Sequence, residues 1–586
     1  MRKSGQNPRH WRLFGAAILS AATFGPLPVY AQAPPPSNIP VPPPGSPIPR
    51  ILPPAPPSVS PAAPLLPPPA PSKEVPKRPV RITSVSVEGV TAYPQSEIAT
   101  LTRGLTGPAV PLTKIDAARV TILQRYRADG YVLSTVSVNV DVQTGRLRFI
   151  VTEGRIARVR LDGDIGPAGT QVLRFLNRLT EKTPIDEATL ERYLLLAQDV
   201  PGVTLQAVLQ PSADEPGALN LIAQVKRRAV SGLLTMDNRA FADTGPIQGL
   251  AVADFNSFTE FGERTEVSLY HAFPNSETFG QVSSEFFLGS SGLKLKLYGG
   301  AGRTVPTGPL ATANFQGRTI IYGGQLSYPI IRARQQTLNV RLSFDGIEST
   351  IDLGTPSSRA SYDALSVLRL SADYARSDVW LGSERSAVNA LSVRVSQGLP
   401  ILGATSNSNP IAPRLGEQTN FTKFDFQASR TQTLFSPWQN ATVAFEQLVA
   451  GQISGNVLPL SEQFYLGGSQ YTRGYYAGEV TGDKALVATS ELQLNTPISL
   501  RSIHLPSEIQ TQFYIFYDWG ETWNNRRTDP NVRLNSVGGG VRMQLASDIE
   551  LDFEGLARFN RFPIGEGPGI SPLVTGAFYW RALVRF

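Results

Sequence analysis

The sequence predicts two consecutive small α+β units followed by a C-terminal transmembrane antiparallel β-barrel of about 16 strands. Three observations carry that prediction. The order strand, helix, helix, strand, strand occurs twice between residues 80 and 228. From residue 229 to residue 586 helical spacing gives way to segments of about ten residues that alternate apolar and polar side chains, as a half-buried sheet requires. Past the N-terminus no run approaches the roughly 20 apolar residues of a membrane-crossing helix. A chain that crosses lipid without such helices does so as a closed barrel, the other fold that pairs every backbone group.

The first elements serve export. Arg2, Lys3, Arg9 and Arg12 precede an apolar run from Leu13 to Phe24, and Val29-Tyr30-Ala31 offers small residues for cleavage near Ala31. Gly15, Ser20, Pro26 and Pro28 break that run too early for a membrane anchor, so residues 1–31 read as a signal peptide. Residues 32–79 form a proline-rich linker, with almost no charge before Lys73. Polyproline II at about 3.1 Å per residue would let it reach on the order of 140 Å, as a spacer or as a ligand for a periplasmic partner.

Residues 80–154 begin with the strand-like Ile82, Val85 and Val87. Helical spacing follows over Gln95–Leu105 and Thr113–Asp129, where Ile115, Ala118, Ile122 and Tyr126 fall on one stripe. Leu133–Val142 and Arg146–Thr152 then alternate as strands around a turn at Gly145. Residues 155–228 repeat the order: a strand at Ile156–Leu161, helices near Thr170–Leu179 and Asp186–Gln198, and strands at Val203–Leu209 and Ala218–Val225.

In the barrel region, Leu338, Val340, Leu342 and Phe344 alternate with Asn339, Arg341, Ser343 and Asp345, and Leu391, Val393 and Val395 with Ser392, Arg394 and Ser396. One face of such a strand suits lipid and the other water. A soluble sandwich also alternates, but an open sheet of this size leaves edges to protect. In the last strand Phe578, Trp580, Ala582, Val584 and Phe586 share one face. An alternating strand that stops on Phe586 resembles the recognition signal of bacterial outer-membrane barrels, which implies handling by the barrel assembly machinery through Phe578, Trp580, Val584 and Phe586.

Two stretches break the barrel pattern. In residues 464–483 five glycines and four tyrosines surround a single arginine, Arg473, in a loop suited to placing one charge. In residues 510–520 Asp518 interrupts an apolar, aromatic strand. A guanidinium is the natural partner for that carboxylate, since its fork binds both oxygens and stays charged.

Together these stretches resemble two signatures of the TpsB family of two-partner secretion transporters, outer-membrane barrels that carry POTRA domains. Thr472-Arg473-Gly474-Tyr475 is similar to the family's sixth-loop motif, with threonine where valine is usual. Phe516, Asp518 and Gly520 match its F-x-D-x-G barrel-wall motif. The resemblance implies that the loop folds into the lumen and that Arg473 pairs with Asp518, with Gly474 and Tyr475 part of the same lock. The repeated units look like POTRA domains, and Arg125, Gly130 and Tyr131 are similar to their helix-to-strand turn. Family members often carry an amphipathic plug helix, and residues 32–79 show no such pattern.

Composition excludes other chemistry. There is no cysteine, and the three histidines, His10, His271 and His504, lack ligand spacing, so no metal and no cofactor is expected. The net charge of +7 is scattered and does not point to nucleic acid. No nucleophile elbow, phosphate loop or zinc motif occurs, so an enzyme is not expected. Asp548, Glu550, Asp552 and Glu554 alternate along one strand, which fits a lumen-facing acidic row as well as a glycosidase pair or cation site.

The expectation is a transporter of a large secreted β-helical client, captured in the periplasm and passed through the barrel without nucleotide. Capture by an exposed sheet edge points to Val136, Ser137, Val138, Asn139 and Val140. The alternatives are a barrel-insertion factor of the same superfamily and a passive porin or receptor.

Overall fold

The computed structural model describes residue 59 and residues 79–586, apart from 214, 216, 242–243, 275, 308, 500–507 and 564–571. The expected signal peptide and nearly all of the proline-rich linker lie outside the described residues, as does any plug within them.

The first unit comprises β1 (Pro79–Ile82), β2 (Ser84–Glu88), α1 (Gln95–Thr100), β3 (Gly107–Pro111), α2 (Leu112–Ala128), β4 (Thr135–Asp141) and β5 (Arg146–Thr152). Two sequence expectations are corrected here. The first helix stops at Thr100, not Leu105, and the chain then forms β3, an unforeseen strand that pairs with β1. Gly104, Gly107 and Pro108 punctuate this stretch and end helical spacing before the residue count suggests it. Strand β4 is also shorter than Leu133–Val142. The sheet runs β2-β5-β4, so β4 is an edge. Ile115, Ala118, Ile122 and Tyr126 on α2 bury one stripe against Leu147, Phe149 and Val151 of β5.

The second unit comprises β6 (Arg155–Asp162), α3 (Ala168–Leu176), α4 (Glu187–Gln198), β7 (Val203–Pro211) and β8 (Ala218–Arg227), with sheet order β6-β8-β7. Asp186 caps α4 by accepting the Thr189 N–H at 2.8 Å, a contact that typically contributes about 1 kcal/mol. Its core, built on Val172, Phe175, Leu176, Leu190 and Leu221, is completed by Phe287 from the barrel.

Sixteen antiparallel strands close the barrel. The first eleven are β9 (Val230–Asp237), β10 (Gln248–Asn256), β11 (Arg264–Ala272), β12 (Glu277–Phe287), β13 (Lys294–Thr304), β14 (Gln316–Arg332), β15 (Gln336–Leu353), β16 (Ser358–Asp378), β17 (Ala387–Gly398), β18 (Thr422–Phe435) and β19 (Thr442–Ser454). A short hairpin, β20 (Phe464–Leu466) with β21 (Val480–Gly482), belongs to the following loop. The barrel resumes with β22 (Lys484–Ser499), β23 (Glu508–Trp523), β24 (Val532–Ala546), β25 (Ile549–Arg558) and β26 (Gly576–Arg585). Strands β9–β13, β25 and β26 run 8 to 11 residues, near the expected ten, whereas β14, β15 and β16 reach 17, 18 and 21. These long neighbours keep their ladder paired well beyond ten residues, because a paired hairpin satisfies its backbone in water as well as in lipid.

Alternation sorts the faces as the pleat requires. On β23, Phe513, Ile515 and Tyr517 are exposed on the outer face, whereas Tyr514, Phe516 and Asp518 are buried inside. The barrel closes where β26 meets β9 over only five register pairs, Arg581–Arg585 with Leu233–Asp237. Beyond them Phe586 and Gly232 exchange backbone hydrogen bonds of 3.0 and 2.8 Å.

Candidate functional site

The loop between β19 and β22, residues 455–483, is the sixth on its side of the barrel and folds inward. Inside the lumen its centre meets β23. Phe516, Asp518 and Gly520 stand at successive inward positions of that strand, which is why an F-x-D-x-G spacing aims three residues at one place. Gly520 leaves room for the loop: a Cβ there would sit 2.8 Å from the Thr472 methyl carbon. Gly474 allows a similar approach to Ser536 and donates its N–H to the Ser536 hydroxyl at 3.2 Å.

Arg473 grips Asp518 three times. Its backbone N–H donates to Oδ2 at 2.8 Å, and its Nε and Nη2 donate to Oδ2 and Oδ1, each at 3.1 Å. Nη1 donates to Glu491 of β22, and the guanidinium lies 3.6 Å from the centre of the Phe516 ring. Asp518 is fully buried and Arg473 is 7% exposed. A buried charge persists only when paired and hydrogen-bonded, and each member here meets that condition through the other.

Further groups hold the loop's backbone. Arg239, from the loop after β9, donates to the Arg473 carbonyl at 2.8 Å and to Glu554 of β25 at 2.6 Å. Arg558 donates to the Gly474 carbonyl, and Arg542 of β24 donates to Glu491 at 2.6 Å. Tyr475 is fully buried, its hydroxyl 3.0 Å from the carbonyls of Asn535 and Asn560. Thr472, the departure from the usual valine, takes a positive φ of 49° and accepts the Gly467 N–H at 2.8 Å, so its hydroxyl closes the tight turn.

Sequence reading missed part of this cluster. Arg542 interrupts the inward face of its strand, which was a visible signal. Arg239 and Arg558 lie in a loop and at a strand end, where spacing marks nothing. The acidic row is corrected as well: Asp548 falls in the turn before β25, outside the strand. Glu550 pairs with Arg581, Asp552 accepts from the Tyr514 hydroxyl, and Glu554 pairs with Arg239. The remaining candidates lie elsewhere. Val136, Val138 and Val140 pack towards the core of the first unit, and Ser137 and Asn139 are exposed on the opposite face of edge strand β4. Phe578, Trp580, Val584 and Phe586 share the outer face of β26 and its end, with Phe578 61% exposed.

Residues 218–543 match the family described as haemolysin secretion/activation protein ShlB/FhaC/HecB, and residues 80–154 match the ShlB-type POTRA domain. The chain belongs to this family. It is a TpsB-type outer-membrane transporter whose POTRA domains lie in the periplasm, from a family that works with a separate secreted exoprotein. Among solved structures, CdiB from Escherichia coli has the same fold with a TM-score of 0.68 at 18% identity, over 89% of this chain and 93% of that one. CdiB from Acinetobacter baumannii gives 0.59 at 16% identity, over 98% and 97%. No curated protein sequence matches the chain.

Proposed function

We propose that this transporter captures an unfolded β-rich exoprotein in the periplasm through its POTRA domains and passes it outward through the barrel without nucleotide, drawn by folding of the client outside. The supporting observation is the lumen itself, in which a loop pinned by a buried Arg473–Asp518 pair occupies the path a client takes. We assign Arg473, Gly474, Tyr475 and Asp518 to that lock. Capture falls to β4, whose outer backbone edge is a template for a client strand. The apolar outer face meets outer-membrane lipid, and the aromatic end of β26 is the mark read by the barrel assembly machinery.

Strand addition depends on backbone donors, and proline removes one. Ser137→Pro or Asn139→Pro is expected to reduce client secretion while the barrel remains inserted, measured as exported client against heat-modifiable barrel in the same cells. Undiminished secretion by both variants places recognition elsewhere than β4.

A further inference from the structure

Besides Asp483 at its last position, which Arg414 of the preceding loop binds with both ends of its fork at 2.5 and 3.1 Å, the sixth loop has another buried ionic contact remote from Arg473. Glu462 ends the short 3-10 turn Leu460–Glu462, where the loop leaves β19. It is 1% exposed. Arg369 of β16 binds it with both ends of its fork, Nη2 to Oε1 at 2.6 Å and Nη1 to Oε2 at 3.0 Å. Lys423 of β18 reaches the same Oε2 at 3.0 Å and the Glu462 carbonyl at 2.9 Å. Asp345 of β15 accepts from Arg369 Nε, and the Ser396 hydroxyl accepts from Nη1 at 3.1 Å. With Asp425 3.9 Å from Lys423, two cations thus face three carboxylates, and of these five groups Glu462 alone is carried by the loop.

The two contacts use different walls. Arg473 is fixed to β22 and β23, whereas Glu462 is fixed to β16 and β18, on the other side of the strands between which the loop emerges. Only residues 463–472 separate them, so the segment is tied at both ends. A cavity of about 440 Å³ lies alongside, between that segment and a wall that includes Arg394, Asp425 and Gln427. Breaking the Arg473 contact alone leaves the ascending arm held.

We propose that Glu462 is an anchor of the sixth loop independent of Arg473, positioning its ascending arm against the β15, β16 and β18 wall so that the lumen opens fully only when this contact and the Arg473 contact both release. This rests on the barrel being the conduit, but its test needs no client. Glu462→Gln keeps the shape of the side chain and deletes its charge, so that Arg369 keeps Asp345 and Lys423 keeps Asp425 nearby while the loop loses its ionic hold on the wall.

The experiment is planar-bilayer conductance of the purified full-length protein, together with the labelling rate of Gln470→Cys by a bulky maleimide. The natural chain has no cysteine, so the label reports this loop alone. Glu462→Gln and Arg369→Gln are each expected to raise the labelling rate and mean conductance severalfold, their combination should do no more than either, and Glu462→Asp should restore much of the closed behaviour. Adding Arg473→Ala to Glu462→Gln should multiply the two effects. Conductance and labelling unchanged in Glu462→Gln and Arg369→Gln, or no added effect with Arg473→Ala, overturns the proposal. If Glu462→Gln does not insert, Arg369→Lys and Lys423→Gln are measured in its place, and failure of all three to insert assigns Glu462 to folding and also overturns it. Normal anchoring behaviour without client export would instead count against the secretory function.

Discussion

The same chemistry joins the sixth loop to the barrel wall and the second POTRA domain to the barrel base, in very different surroundings. At the base, Arg332 binds Asp199 through Nε and Nη2 at 2.8 and 2.7 Å, shorter than the 3.1 Å contacts between Arg473 and Asp518. By distance alone the base pair is the stronger. Yet Asp199 keeps 28% of its side-chain exposure and Asp518 keeps none. Water reaches Asp199 and can replace a lost partner there, whereas Asp518 is buried beneath the docked loop, so burial decides what each pair contributes.

The base is secured by other means. Phe287 enters the POTRA core and stacks edge-on against Phe175 at 5.0 Å, while Arg192 donates to the Pro329 carbonyl at 2.9 Å. The core of the first POTRA domain, by contrast, closes between Ile82 and Val151. The second domain therefore belongs mechanically to the barrel, and the first extends from it as the arm bearing the free edge of β4.

The contrast between lumen and base orders the expected effects. Arg473→Ala should be the most damaging, because it leaves Asp518 buried without a cation. Breaking such a pair costs about 3 to 5 kcal/mol, an upper bound in a lumen that admits water. Asp518→Ala should cost less, since Arg473 still faces Glu491. Thermal unfolding of the inserted barrels checks the ranking, and equal losses would break the argument from burial.

Asp199→Ala should cost under about 1 kcal/mol and lose its effect in high salt, as partly exposed pairs do. Hydrogen exchange across α4 at two salt concentrations measures it.

The smallest effect is expected in the first POTRA domain and depends on pH. Burial tends to raise the pKa of Glu153, but hydrogen bonds from Thr91, the Tyr126 hydroxyl and the Ala92 N–H outweigh it and hold the carboxyl below the ordinary glutamate range. A depressed folded-state pKa contributes stability that is present above the unfolded value of about 4.3 and is lost as pH falls through the folded value. Hydrogen exchange of the full chain, corrected for intrinsic pH dependence, should show the domain loosening below that pH, with a shallower slope in Glu153→Gln.

Much of this was legible in sequence wherever a physical requirement overrides the local pattern. Asp518 stood out because a charge on the inner face of an aromatic strand needs a partner, and the loop because glycine, tyrosine and arginine interrupt alternation. Sixteen strands followed from repeated period-two segments. The length of the longest strands, β14 to β16, was hidden, since their pairing outlasts the apolar alternation. So was Phe287, whose alternation fits any barrel residue although its side chain completes another domain. Arg239 and Glu462 were hidden too, because loop residues acquire partners through topology and not through spacing.

The most direct test of the loop lock is a double-mutant cycle on client export, with Arg473→Ala, Asp518→Ala and both together, each normalised to inserted barrel. Each single variant should impair export, Arg473→Lys should restore only part of it for want of the two-pronged fork, and the double variant should be little worse than the poorer single one, since partners in one contact do not add. Fully additive losses would show that Arg473 and Asp518 act separately, and would contradict the lock.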